Sequence, residues 1–452
     1  MKSEDCRWSI GNTGTLEGFI SPNGKLIAGY PSTHIDVRMF GEIGSSDDAS
    51  VIQQAIDYAA SLTYGGVVTL PSGRSYNVSS ISLKSKVGIT SQEVGRKANL
   101  QSVGANSGAM ITNATGGLID CSLRNLRLIG DNAHTAKWLI DIACDKAAGS
   151  DGQFTDGIFE NLLLTNSRKN ISIRGTVSGS GALEPFQWTT FRKVRVEGYN
   201  SATTEPLKII GQTGQLTFEH CGFGGSGGTT TPVAVSLGPN GSVAPVDAAF
   251  NRCWIGNAVT GMTITGSTDI RVNHVYGENL TNGISFASGS TGSVDGFGMA
   301  QGTGYGIKVD GNTTKVAVGN NRLAATLAQS YYSTNGGVLV STGFNPSGDL
   351  CSGISQQVSI TGAGTTGALA VSNQKVVQVN TSAVEIQTIT GNHSTGDYLT
   401  LVAQGGSIVF NSTGNVNLSG VATPMTLASG ASALFIVTDL SARRYRLVSK
   451  SV

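Results

Sequence analysis

From about residue 118 the chain repeats one short alternation of apolar and polar positions. It appears as Leu123-Arg124-Asn125-Leu126-Arg127-Leu128 and again as Phe159-Glu160-Asn161-Leu162-Leu163-Leu164. Phe191-Arg192-Lys193-Val194-Arg195-Val196, Phe218-Glu219-His220-Cys221-Gly222-Phe223 and Phe250-Asn251-Arg252-Cys253-Trp254-Ile255 follow, with Val272-Asn273-His274-Val275-Tyr276-Gly277 as a weaker copy. First positions lie 36, 32, 27, 32 and 22 residues apart, a bounded but uneven period that suits a solenoid with loops of varying length. Stacked in register, the first, fourth and sixth positions form three apolar ladders, the third broken by Gly277. Like side chains at about 4.8 Å along a parallel sheet make a continuous core. The segments between copies lack the 3.6-residue apolar period that crossover helices need. The pattern therefore predicts an all-β chain: a right-handed, single-stranded parallel β-helix.

Outside the repeat the pattern changes twice. Ile35 to Gly41 reads as a short strand, and Val51, Ile52, Ala55, Ile56, Ala59 and Ala60 recur at helical spacing after Asp47-Asp48. Ser46, Asp47 or Asp48 can cap that helix and Gly65-Gly66 ends it. Val67 to Leu70 and Tyr76 to Leu83 then alternate as strands. Past residue 300 the repeat continues loosely through Gly306-Ile307-Lys308-Val309 and Val316 to Asn320. Near Gln374 seven short strands separated by Gly, Asn and Ser begin: Lys375–Val379, Ala383–Thr388, Tyr398–Val402, Ser407–Phe410, Val416–Leu418, Ala433–Thr438 and Arg444–Val448. They predict a C-terminal antiparallel β-domain, a sandwich-like cap that keeps the solenoid's end from being a bare template. The expected organisation is a leader or attachment segment over 1–34 with a tight turn at Ser21-Pro22-Asn23-Gly24, a helix-capped opening over 35–90, the β-helix over 91–373, and the cap or trimerisation domain over 374–452.

Composition narrows the chemistry. Only 13% of the 452 residues are charged, with 30 basic against 29 acidic, so no concentrated cationic surface exists for nucleic acid. The six cysteines form no CxxC pair, and Cys221 and Cys253 fill the fourth position that Leu or Val fills elsewhere, which reads as buried thiols. His220 and His274 belong to different copies without an obvious third ligand, so no metal and no cofactor are expected. No apolar run is long enough for a bilayer, and Met1 to Ile20 lacks a signal-peptide core. Neither membrane insertion nor secretion by a signal is expected.

Several outward acids remain. Asp247 and Asp269 sit three residues before the first position of consecutive copies. Projecting outward at about 4.8 Å between backbones, they would form the acid/base pair of a glycoside hydrolase. Asp120 and Asp156 share the register, where an aspartate also serves a turn. Glu197 and Glu278 occupy the seventh position of distant copies; Glu219 continues a charge ladder from Arg124, Glu160 and Arg192; Glu205 lies in the loop before Phe218. Each is a further candidate acid. Trp254 and Tyr276, outward at the fifth position of adjacent copies, are candidates for stacking on sugar, with Arg252, Arg271, His274 and Tyr305 as accompanying binding groups. Trp138 and Trp188 are weaker ones. G-x-S-x-G occurs only within the glycine-rich run Gly224-Gly225-Ser226-Gly227-Gly228, which reads as a flexible loop rather than a strand-to-helix elbow, and no H-E-x-x-H pair occurs.

Ile35-Asp36-Val37-Arg38-Met39-Phe40-Gly41, Asp47-Asp48, Ile52-Gln53-Gln54-Ala55-Ile56, and Gly65-Gly66-Val67-Val68-Thr69-Leu70-Pro71-Ser72-Gly73 with Tyr76 resemble the opening of the pectate-lyase-like β-helix superfamily, although Gly44-Ser45-Ser46 replaces the usual Gly-Asp-Gly. The terminal strands, closing on Arg444-Tyr445-Arg446-Leu447-Val448, resemble the small β-domain of bacteriophage tailspikes. The resemblance implies a homotrimer attached to phage tail or baseplate proteins, carried on the virion tail and acting at the host bacterial cell surface. It also implies a depolymerase that binds and hydrolyses a capsular or O-antigen polysaccharide. A non-catalytic adhesin of the same shape and a lyase working by β-elimination are the alternatives, because the scaffold does not specify the chemistry.

Overall fold

A computed structural model describes residues 17–20, 26–29, 34–93, 95–113, 118–131, 135–144, 154–175, 186–197, 204–225, 231–324, 326–335 and 337–341. Toward the C-terminus it describes 355–358, 366–370, 376–379, 384–390, 398–403, 407–410, 416–418, 424–439 and 444–451. The turn expected at Ser21 to Gly24 lies outside these residues, but its flanks, Glu17–Ile20 and Leu26–Gly29, pair antiparallel.

The repeat is a coil. One twelve-stranded, wholly parallel sheet takes a single strand from each turn, from His34–Asp36 to Val338–Ser341. Its register reproduces the first ladder: Leu123, Phe159, Phe191, Phe218, Phe250, Val272, Val294 and Val318 are successive partners, and Ile35, Val68 and Ile89 continue it downward. The four phenylalanines stack with centroids 4.5, 4.8 and 4.6 Å apart and planes within 17° of parallel. The rung spacing thus sets a ring-on-ring stack inside the core. Beyond a corner, a second sheet of seventeen strands carries the third ladder, Leu128, Leu164, Val196, Phe223, Ile255, Gly277 and Met299. At Gly277 the missing side chain leaves room for Leu280 and Phe297, whose atoms would lie 2.9 and 3.2 Å from a Cβ there. The chain returns through loops and one further parallel strand per coil, such as Trp138–Ala143, Lys169–Arg174 and Glu205–Ile210, and the coil is right-handed, as parallel crossovers are.

Two columns of left-handed backbone make the corners. Three residues before the first position of the coils from Ile89 to Val272, Lys86, Asp120, Asp156, Trp188, Gln215, Asp247 and Asp269 all have φ between 48° and 61°. Two residues after it, Asn125, Asn161, Lys193, His220, Arg252 and His274 do the same. Asn and Asp tolerate this conformation best, which explains their frequency at these positions. Asn161 also donates its amide to Asn125 one turn below, at 2.8 Å.

The helix, Ala49–Ser61, lays Ile52, Ala55, Ile56 and Ala59 on the open end of the core. Asp48 is fully buried and accepts amides from Gly44 (2.9 Å), Ser45 (3.1 Å) and Asn77 (3.0 Å), tying the helix start to the first coil. Asp47 does the capping, accepting Ala49 N–H at 3.0 Å. The strand expected over Ile35 to Gly41 stops at Asp36, whose carboxylate takes the amide of Arg38 and turns the chain into a single 3-10 turn.

The terminal strands form two sheets around Ile386, Leu399, Leu401, Phe410, Phe435 and Tyr445. Tyr398–Ala403 pairs antiparallel with Ser432–Asp439, which pairs antiparallel with Arg444–Lys450. Ile408–Phe410 pairs antiparallel with Met425–Leu427; that strand, and Ser355–Val358 and Thr366–Ala370, which join the same two sheets, are not singled out by the sequence pattern. Val376–Val379 and Val384–Thr390 instead join parallel partners, so among the described residues of this region antiparallel pairing is confined to those three pairs. Among the described residues, no helix is long and apolar enough to cross a membrane.

Candidate functional site

Two adjacent coils, those of Phe250 and Val272, bring most of the expected site residues into one outward band. The band starts at the first corner with Asp247 and Asp269, whose backbones are neighbours: Val246 bridges Thr268, and Asp247 N–H bonds to Thr268 O at 3.1 Å. Arg271, on the adjoining strand, reaches back to pair with Asp247. Asn251 and Asn273 come next, the Asn273 amide donating a hydrogen bond to Asn251 Oδ1 at 2.9 Å, with Glu219 one coil below as the register partner of Asn251. At the second corner stand Arg252 and His274, both exposed, the His274 ring lying against Gly296. Trp254, Tyr276 and Glu278 complete the band on the second sheet. Seven residues separate Asp247 from Trp254, so the ends are about 23 Å apart along the chain.

The aromatic end has a built floor. The Trp254 ring would lie 3.5, 2.8 and 2.6 Å from a Cβ on Gly222, Gly224 and Gly256, so the indole rests across three glycines. Its Nε1 donates to Glu278 at 3.1 Å, which fixes the ring's orientation. Tyr276 stands beside it, 46% exposed, with Gly298 on its other side. A larger residue at Gly224 or Gly256 would lift the indole, whereas a Cβ at Gly222 would only touch it. The glycines were legible in the sequence as gaps at outward fifth and seventh positions, which one coil earlier carry Arg195 and Glu197. Only the ring's position gives them a purpose.

Other expected residues lie elsewhere. Glu197 is on the second sheet but pairs with Arg195 at 3.0 Å, with two coils between it and the Glu278 coil. Glu205 is on that sheet's later strands, 3.9 Å from both Lys169 and Lys208. Tyr305 belongs to the same late face as the partner of Gln329. Glu219 lies in register with Arg192, which pairs with Glu160, itself 3.6 Å from Arg124; the alternating charge column exists as expected. Trp138 sits under the Lys169 ammonium, 5.3 Å from its centroid. Six acids are therefore spread over four faces, and only Asp247 and Asp269 share one register on adjacent coils.

The cysteine ladder is inert by position. Cys221 and Cys253 are buried and their thiols point to the carbonyls of Phe191 (3.2 Å) and Phe218 (3.4 Å). Burial pushes the Cys221 thiol up, and it raises Cys121 to about 12, far from any reactive thiolate. Among the described residues no group of three His, Cys, Asp or Glu side chains could hold a metal ion.

Neither a protein-family model nor a curated protein sequence matches the chain. Solved structures do. A tailspike protein of Acinetobacter phage vB_ApiP_P1 is 13% identical with a TM-score of 0.48, over 96% of this chain and 82% of its own. The surface adhesin PfbA of Streptococcus pneumoniae is 15% identical with a TM-score of 0.41, over 92% and 100%. The A-module of the Azotobacter vinelandii mannuronan C-5 epimerase AlgE4 is 15% identical with a TM-score of 0.40, over 68% and 100%. Likeness at this level concerns the path of the chain, and the three proteins differ in what they do. On its own register and coil, this chain folds as a right-handed parallel β-helix with a small C-terminal β-domain.

Proposed function

We propose that the protein is a phage tailspike that binds a bacterial capsular or O-antigen polysaccharide across the Phe250 and Val272 coils and hydrolyses it with Asp247 and Asp269. The observation that carries the reading is the aromatic shelf: an indole held flat on three glycines by Glu278, beside an exposed tyrosine. A pyranose offers an apolar C–H face to such rings and hydroxyls to Arg252, His274, Asn251 and Asn273. Stiff coils hold these groups in place without ordering cost at binding.

Roles divide along the band. Asp247, paired with Arg271, suits the anionic part, either attacking the anomeric carbon or taking a proton from the attacking water. Asp269, exposed on the next coil, donates its proton to the glycosidic oxygen as the C–O bond breaks. In this reading the chain works as a homotrimer joined to the phage tail or baseplate, at the surface of the host bacterium.

A non-catalytic adhesin is the second reading. It is favoured by the engagement of Asp247 with Arg271, Glu278 with Trp254 and Glu197 with Arg195. Incubation with a panel of capsule and O-antigen polysaccharides, with product ends read by mass spectrometry, separates the cases. Saturated new reducing ends support hydrolysis. Unsaturated uronates identify a lyase, and binding without shortening identifies the adhesin.

A further inference from the structure

The first corner carries a residue that its backbone does not favour. Asp120, Asp156, Gln215, Asp247 and Asp269 all accept the left-handed turn as short or unbranched polar side chains, yet Trp188 occupies the same position with φ 48°. A bulky residue is disfavoured there. Trp188 is also 58% exposed, so it gains little burial in return. The same ridge bears two more exposed apolar side chains, Ile119 (46%) and Val246 (38%), each next to an aspartate of the column. Lys86 is the lowest non-glycine residue of the column, and Arg271 is beside Asp247.

We propose that this corner is a second carbohydrate subsite, in which Trp188 stacks on a sugar ring of the chain whose cleavage point lies at Asp247 and Asp269, and that the sugar there is neutral. The proposal rests on the preceding reading of the acid pair. Trp188 is two coils from Asp247, about 10 Å along the axis. Asp156 and Gln215 flank the indole one coil to either side. The pattern is an apolar face between hydrogen-bonding groups, as a pyranose needs. A second copy of the chain fits poorly, because Asp120, Asp156 and Asp269 are exposed on the ridge and would be buried without partners. A polyanionic glycan would meet the same carboxylates with like charge. A neutral chain can donate hydroxyls to them.

The test uses Asp269→Asn protein, so that bound polysaccharide stays intact, and compares it with versions carrying Trp188→Asn, Trp188→Phe or Trp254→Ala. The probes are an array of neutral bacterial polysaccharides and, as polyanion, polygalacturonate. Asparagine suits the left-handed backbone, so Trp188→Asn raises the melting temperature or leaves it unchanged. It should nevertheless weaken neutral-glycan binding roughly tenfold, while Trp188→Phe keeps most of it. Polygalacturonate should not bind.

Equal binding by Trp188→Asn, a change of its oligomeric state in sedimentation, or preference for polygalacturonate overturns the proposal. If Trp254→Ala loses binding and Trp188→Asn does not, the aromatic shelf stands and this subsite falls. If the parent protein binds no polysaccharide on the array, both readings fall together.

Discussion

Replacing Phe218 by Ala removes the middle of the internal ring stack. Its ring lies 4.8 Å from Phe191 and 4.6 Å from Phe250, with Phe223 edge-on at 5.9 Å, and it is fully buried. A buried Phe→Ala change costs about 3–5 kcal/mol through lost transfer energy and the cavity left behind. Each stacked pair adds about 0.5–1.5 kcal/mol beyond area. Rungs of a parallel coil are fixed by the ladder of backbone bonds, so neighbouring rings cannot collapse into the gap. The expected loss therefore lies at the top of the range, about 5 kcal/mol. Phe250→Ala makes a useful control, since Phe250 stacks on Phe218 but meets Val272 above. It should cost about 1 kcal/mol less. Urea unfolding followed by hydrogen exchange over 216–219 and 248–251 gives both numbers and shows whether the loss is local. A cost below about 2 kcal/mol for Phe218→Ala, or no difference between the two variants, would refute the stack as a source of stability.

Three other outcomes follow from the same geometry. Asp48→Ala leaves the amides of Gly44, Ser45 and Asn77 without their acceptor and should cost about 2–4 kcal/mol, seen as lost exchange protection over 49–61. Burial holds the Lys137 ammonium, which donates to Val103 O, below the ordinary lysine range. The unfolded chain then binds more protons just below pH 10.5, so stability rises with pH through that window; thermal melts of Lys137→Met should lose this rise. Gly224→Ala places a Cβ 2.8 Å from the Trp254 ring and should shift tryptophan fluorescence and weaken glycan binding several-fold, with the melting temperature little changed.

Much of the coil was legible because its rungs repeat chemically. Phe159, Phe191, Phe218 and Phe250 are the same residue at the same register, and a ladder of like side chains needs no knowledge of direction. The ends of the band were harder to read. Asp, Trp and Gln alternate in the column before the first position, so the shared left-handed turn is invisible until φ is known. Arg271 could be placed near the acids, but its pairing with Asp247 depends on reaching back one coil. In the terminal region, alternation marked seven of the ten strands without fixing their partners. Val376–Val379 reads the same in either direction and pairs parallel with Tyr398–Ala403. The Asp47–Asp48 division of labour was likewise hidden, since either carboxylate can cap a helix and both reach the first coil, Asp47 through the Ser79 amide and Asp48 through that of Asn77.

A crystal structure of Asp269→Asn protein soaked with an oligosaccharide cut from the host polysaccharide tests the central claim most directly. The account predicts one sugar ring lying on Trp254 beside Tyr276 and a glycosidic oxygen within hydrogen-bond reach of residue 269 and Asp247. Sugar bound instead on the late strands around Tyr305 and Lys308, with the Phe250 and Val272 coils bare, would contradict it.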